Sequence, residues 1–316
     1  MSPDVERVTV DASVVLDDGP WQHRFVPANG SRFHVVEALP TSGSAGLQDA
    51  PVVVLLHGFP QFWWAWRHQL PALAAAGYRA VAMDLRGYGG SDKPPRGYDI
   101  PTLAADVAGV IRSLGASEAV VVGHGSGGWL AWSMPALAPR TTRAVAVMGS
   151  PHPLQALAAL AAPRRVPGLR HVLAFQTPML PERRLRRGDL VAELLRGWAA
   201  PGAWPDPETV RRYSEAMRIP SVAHCSLEYY RWAVRSRVRP DGLRFARVVR
   251  RTIDVPVLQL HGSADGQVAA ALARGSSRYV RGDYRWELVD RAGHFLPEEA
   301  PQRTTELLLD WLAALP

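Results

Sequence analysis

The chain is almost without cysteine and lysine. A single cysteine, Cys225, stands among 316 residues, which excludes an internal disulfide framework and any cysteine-rich metal site. Lys93 is the only lysine among the 36 basic side chains. That skew toward arginine, with abundant Ala and Gly, reads as codon bias of a GC-rich genome. No apolar run approaches the roughly 18 residues of a transmembrane helix, so an integral membrane protein is excluded. Asp4, Glu6 and Asp11 stand where a secretory signal would be basic and then apolar. The expected compartment is the cytoplasm. A formal net charge of +7 invites a nucleic-acid partner, yet no nucleic-acid motif or aromatic-interleaved basic repeat accompanies it. The arginines at 164, 165, 170, 183, 184, 186 and 187 read as a solvated face.

What is present is a globular balance, 47% hydrophobic and 21% charged, long enough for one large α/β domain with an insertion. Residues 1–20 are polar and expected to form an extended arm. Two strand-like runs, 23–27 and 32–38, flank Asn29-Gly30, a hairpin-turn dipeptide, and residues 41–50 read as a loop. Short apolar runs then alternate with helical spacing. Strands are expected at 52–56, 80–83, 119–122, 144–148, 256–260 and 286–289; helices are expected at 66–76, 101–114, 127–137 and 301–314. This rhythm predicts a doubly wound, mostly parallel sheet. It is interrupted once, at 153–249, where helical patterns, prolines and arginines occur without a buried strand. The expected organisation is an arm (1–20), a core in two parts (21–152 and 250–316) and a helical lid (153–249) over the carboxyl ends of the strands, where open α/β sheets bind ligands.

Unusual chemistry gathers at those strand ends. Residues 57–60 are HGFP, 84–94 are DLRGYGGSDKP, and 123–128 are GHGSGG. Asp265 lies five residues past Leu260, and His294 sits between Gly293 and Phe295. A glycine-flanked turn after a strand, then an acid, then a histidine is the chain order of an α/β-hydrolase triad.

From about Trp21 onward the sequence resembles the α/β-hydrolase fold, and within it the epoxide hydrolase branch, which also holds haloalkane dehalogenases and related esterases. The resemblance is carried by HGFP with Phe62-Trp63-Trp64-Ala65-Trp66-Arg67, by residues 84–94, by residues 176–182 (QTPMLPE) and by Tyr229-Tyr230-Arg231. It implies a hydrolase without cofactor or metal, acting on a hydrophobic ester or epoxide. His294 is the implied base, Asp265 its orienting partner. The backbone N–H groups of Phe59 and of Gly127, the residue after Ser126, are the implied oxyanion donors. Trp63 is expected to wall the pocket. Tyr230, with Tyr229 as the adjacent alternative, matches one lid tyrosine that donates to an opening epoxide, and His171 stands where the other is expected.

The turn at 123–127 departs from the family. Its small-x-apex-x-small spacing puts Gly125 at the apex, where epoxide hydrolases carry aspartate and esterases serine. Three readings remain open here. Ser126 becomes the nucleophile through a re-registered turn; or it caps the helix while His294 and Asp265 activate water directly; or the chain is a catalytically silent homologue that only binds its ligand.

Overall fold

The computed structural model describes residues 10–40, 50–159, 167–202 and 204–316. Eight strands form one sheet in the order β1-β2-β4-β3-β5-β6-β7-β8. They are β1 (Gln22–Ala28), β2 (Ser31–Ala38), β3 (Val52–Leu56), β4 (Arg79–Met83), β5 (Ala119–His124), β6 (Thr142–Met148), β7 (Val257–Gly262) and β8 (Tyr284–Val289). Strands β1 and β2 join antiparallel; every pairing from β4 to β8 is parallel. The hairpin turns on Asn29 (φ 45°) and Gly30 (φ 72°), the two positive dihedrals that a tight I′ turn needs. β3, β5 and β7 are buried along their whole length, as strands covered on both faces must be.

Helices α1 (Gln69–Ala75), α2 (Ile100–Ser113) and α3 (Gly125–Leu137) follow β3, β4 and β5; α11 (Ala270–Arg274), α12 (Leu296–Glu299) and α13 (Pro301–Ala313) belong to the carboxyl-terminal part. Between β6 and β7 run α4 (Pro153–Ala159), α5 (Leu169–Ala174), α6 (Leu180–Arg187), α7 (Asp189–Trp198), α8 (Pro207–Arg218), α9 (Val222–Arg235) and α10 (Pro240–Val248). No sheet strand occurs among the described residues of that stretch. Arg164 and Arg165 lie outside the described residues, as do residues 1–9 and 41–49 of the expected arm and loop. No described helix is long and apolar enough to cross a membrane.

Two local expectations need correction. The described end of the amino-terminal segment is not extended. Ala12–Val15 forms a 3-10 turn capped by Asp11, and Val15 is buried with its carbonyl accepting from Trp63 Nε1 at 2.7 Å. The single helix expected over 66–76 is a 3-10 turn at Trp63–Trp66 followed by the shorter α1. Tertiary bonds hold that break: the Trp63 N–H donates to Asp84 Oδ1 at 2.9 Å, and the ring is committed to Val15.

The chain steps from β3 to β4 on one side and returns to β5 on the other, so the sheet order reverses at the carboxyl ends of β3 and β5. That switch point is where a doubly wound sheet opens a crevice. Helix α3 packs against it without room to spare. A Cβ on Gly123 would lie 2.2 Å from the Gly127 carbonyl oxygen, and one on Gly127 would lie 2.4 Å from Leu56 O and 2.6 Å from His57 O. These neighbours are backbone and cannot swing aside. Gly127→Ala should therefore destabilise the fold by about 1–3 kcal/mol, as overpacking does. In contrast, Gly197→Ala in α7, where a Cβ meets nothing within 4 Å, should be neutral or stabilising by up to about 1 kcal/mol. Thermal melts of the two variants beside the parent check both signs.

Candidate active site

The turn from β5 into α3 holds Gly125 at φ 54°, a left-handed conformation that glycine adopts without steric cost. The apex is thus Gly125, flanked by Gly123 and Gly127, whose missing side chains are what permit the close packing of α3. A Cβ on Gly125 would lie 3.3 Å from His294 Nε2 and 3.5 Å from Gly58 Cα. The apex points at the histidine and presents no side chain to it.

His294 follows β8 and is buried. Its Nδ1 donates to Asp265 Oδ2 at 2.9 Å, which leaves Nε2 as the lone-pair nitrogen; no described residue bonds to it. Asp265 stands in the turn after β7, its Oδ1 accepting from the N–H groups of Gln267 (2.7 Å) and Val268 (2.9 Å). Burial works against the charge on Asp265, but the adjacent His294, His261 and the Val268 N–H hold its carboxyl below the ordinary value. Glu299 fixes the histidine loop by accepting from the N–H groups of Gly293 (2.9 Å), Phe295 (2.7 Å) and Ala200 (2.8 Å). The His294 N–H in turn donates to Trp198 O at 3.0 Å, tying the loop to the end of α7.

Ser126 lies in the first turn of α3 and borders the cavity described below. Its hydroxyl is buried without a hydrogen-bond partner, so it is not joined to His294. It does not cap α3 either, since the N-cap position belongs to His124. The Phe59 N–H, at the carboxyl end of β3, has no acceptor among the described residues.

A cavity of about 340 Å³ opens above Gly125 and Ser126, between the sheet and the inserted helices. Trp129, Leu169, Val172, Phe245 and Leu272 make its wall apolar, and Tyr230 and Gln267 add polar groups. Tyr230 is buried with its ring edge-on to Phe59, Phe175 and Trp129. Burial pushes its hydroxyl well above the usual phenol range, against a hydrogen bond from Gln267, so it is a neutral O–H at neutral pH. Tyr229 is turned away, its hydroxyl donating to Arg86 O at 2.8 Å.

The other two expected substrate contacts lie off the cavity wall. Trp63 is packed into the core, edge-on to Trp21. His171 is engaged at both nitrogens: Trp198 Nε1 donates to Nδ1 at 3.3 Å, and Nε2 faces Glu193 Oε1 at 3.2 Å. Its one proton is spent on Glu193, which leaves none for a substrate oxygen. Among the described residues no group of three or more His, Cys, Asp or Glu side chains is placed to hold a metal ion. Sequence reasoning missed Gln267, Glu299 and Gly149; the last sits at φ 62° with its missing Cβ 3.0 Å from His294 Nδ1. Only the Glu298-Glu299 pair just past His294 gave a signal.

The eight-stranded sheet, the glycine turn and the acid–histidine pair define an α/β hydrolase. Residues 51–301 match the model of the alpha/beta hydrolase fold family, and the chain belongs to it. Within that family it is epoxide hydrolase-like. It is 34% identical to epoxide hydrolase A of Mycobacterium tuberculosis, covering 94% of this chain and 99% of the relative. It is 32% identical to epoxide hydrolase 3 of Xenopus tropicalis, covering 92% and 78%. The crystal structure of epoxide hydrolase A from Mycobacterium thermoresistibile superposes with a TM-score of 0.78 at 29% identity, covering 94% and 99% of the two chains.

Replacing Asp265 by Asn leaves the geometry but offers His294 a donor in place of an acceptor, turning the ring to the wrong tautomer. Hydrolytic turnover should fall on the order of 10³–10⁴-fold with the melting temperature little changed; steady-state rates and melts on one preparation test this. Folding lowers the Asp265 carboxyl. Stability contributed by ionised Asp265 is complete above the ordinary carboxylate range, about pH 4, and is lost as the pH falls through the lower folded value.

Proposed function

We propose that the chain hydrolyses a small hydrophobic electrophile, an epoxide before an ester, by direct attack of water activated by His294 and Asp265, with no covalent intermediate. The observation that carries this reading is the bare apex: Gly125 directs no atom at His294 Nε2, and that nitrogen has no hydrogen-bond partner among the described residues. In the reaction His294 Nε2 takes a proton from water as its oxygen bonds to an epoxide carbon. The ring C–O bond breaks, and the departing oxygen takes the Tyr230 proton; proton return from His294 to Tyr230 through solvent closes the cycle, and the product is a diol. Asp265 stabilises the imidazolium. With an ester, negative charge would develop near the Phe59 N–H and the first N–H groups of α3, Ser126 and Gly127, where the helix amino terminus favours it. Helices α4–α10 would act as the lid that keeps the cavity apolar. A second reading, Ser126 as nucleophile, is favoured by its buried, unpartnered hydroxyl.

Turnover of aryl and alkyl epoxides and of nitrophenyl esters separates the two. Direct water attack predicts that Ser126→Ala keeps the rate within about threefold while His294→Ala loses about 10³-fold or more, and that a fluorophosphonate leaves the intact mass unchanged. An adduct on the parent and none on Ser126→Ala would move the chemistry to the serine. Thermal stabilisation by these compounds without any turnover would mean a silent homologue.

A further inference from the structure

Glu298 is buried behind the histidine loop and plays no part in the chemistry above. Arg67 Nη1 donates to its Oε1 at 2.6 Å, the Tyr213 hydroxyl donates to its Oε2 at 2.6 Å, and one end of the Gln61 side-chain amide approaches the same Oε2 at 2.5 Å. The other end of that amide lies 2.9 Å from His124 Nδ1, and His124 Nε2 lies 2.8 Å from the backbone oxygen of His294.

A carbonyl oxygen only accepts, so His124 Nε2 carries a proton. The ring is fully buried with its centroid 4.8 Å from that of His294; burial first, then His294, hold its pKa down to about 3. His124 is therefore neutral and its Nδ1 is a lone pair. The end of Gln61 facing it must be the NH₂, which turns the amide oxygen toward Glu298. Two oxygens then meet at 2.5 Å, inside the O–H···O range and below the usual N–H···O range. One must carry a proton, and an amide oxygen does not.

We propose that Glu298 is a neutral carboxylic acid at neutral pH, donating its proton to Gln61, and that the chain Glu298–Gln61–His124 is the positioning element that fixes the His294 backbone. Each of the close contacts named above then pairs a donor with an acceptor, as a buried polar network requires. Burial raises the Glu298 carboxyl, and the pull of Arg67 is incomplete because its guanidinium is shared with the Trp64 ring, 3.5 Å away, and with solvent. The facing groups are Arg67, Tyr213, Gln61 and, beyond the amide, His124. Glu299 on the same helix is turned to its three backbone donors.

The consequence rests on His294 being the base. A carboxyl raised on folding contributes stability that is present at low pH and lost as the pH rises through its folded value. Ionising Glu298 either turns the amide oxygen onto the Nδ1 lone pair or drives a proton onto His124 beside the base. An alkaline limb on kcat should follow.

Infrared difference spectra of the parent against Glu298→Gln at pH 7 read the proton without any activity. A protonated-carboxyl band that disappears in the variant is expected; its absence from the parent overturns the proposal. In the kinetic arm Glu298→Gln, which keeps a neutral group of the same shape, should stay within about threefold in kcat and lose the alkaline limb. Glu298→Ala should lose about tenfold or more in kcat with KM little moved, because it leaves buried partners unmatched. A Glu298→Gln protein as impaired as Glu298→Ala, or unable to fold, would show that the carboxylate charge is what matters and would overturn the proposal. An inactive parent would count against the proposed function, and the infrared arm would still decide the protonation state.

Discussion

The close approach of α3 to the ends of β3 and β5 is the constraint on which the site depends. The approach exists because positions 123 and 127 lack a Cβ, each of which would stand less than 2.7 Å from a backbone oxygen. Once the helix is seated there, the residue between them must take the turn, and a positive φ at Gly125 follows. The apex is thereby aimed at His294, and Ser126 is carried past it into the first helical turn. A one-residue shift that made Ser126 the apex would bring His124 to a flanking position held by glycine in the present register. It would also pull His124 from its bonds to Gln61 and to the His294 carbonyl.

Around that turn the protein spends buried polar groups on holding one imidazole. Asp265 fixes the tautomer, Glu299 takes three backbone N–H groups, Trp198 accepts from the His294 N–H, and His124 donates to the His294 carbonyl. Several of these ties reach the inserted helices through Trp198 and Ala200, so the position of His294 and the placement of those helices are mechanically linked. Buried polar groups are costly unless matched. A ring anchored at this many points, with one nitrogen left open, is the arrangement a positioned base needs.

Much of this was legible in the sequence, for reasons that differ by element. Strands β3, β5 and β6 could be placed because central parallel strands are apolar on both faces, and VVVLL cannot be solvated. The hairpin followed from Asn29-Gly30, and the helical insertion from the absence of any such run. Asp265 and His294 stood out because each follows a strand. The expected substrate contacts were harder. His171 and Trp63 matched a pattern of positions, yet their roles depend on neighbours far away in the chain: Glu193 and Trp198 consume the histidine, and Val15 and Asp84 draw the tryptophan into the core. The Glu298 cluster was out of reach for the same reason. It joins residues 61, 67, 124, 213 and 298, and only the fold brings them together.

In the proposed reaction oxygen reaches the substrate directly from water above a bare glycine. A single turnover of an epoxide in ¹⁸O-water, with enzyme in excess, follows that oxygen. Direct attack predicts label in the diol from the first turnover and none in the protein. An unlabelled first-turnover diol, with label appearing in the protein, would show that a side chain had supplied the oxygen and would rule out direct attack by water.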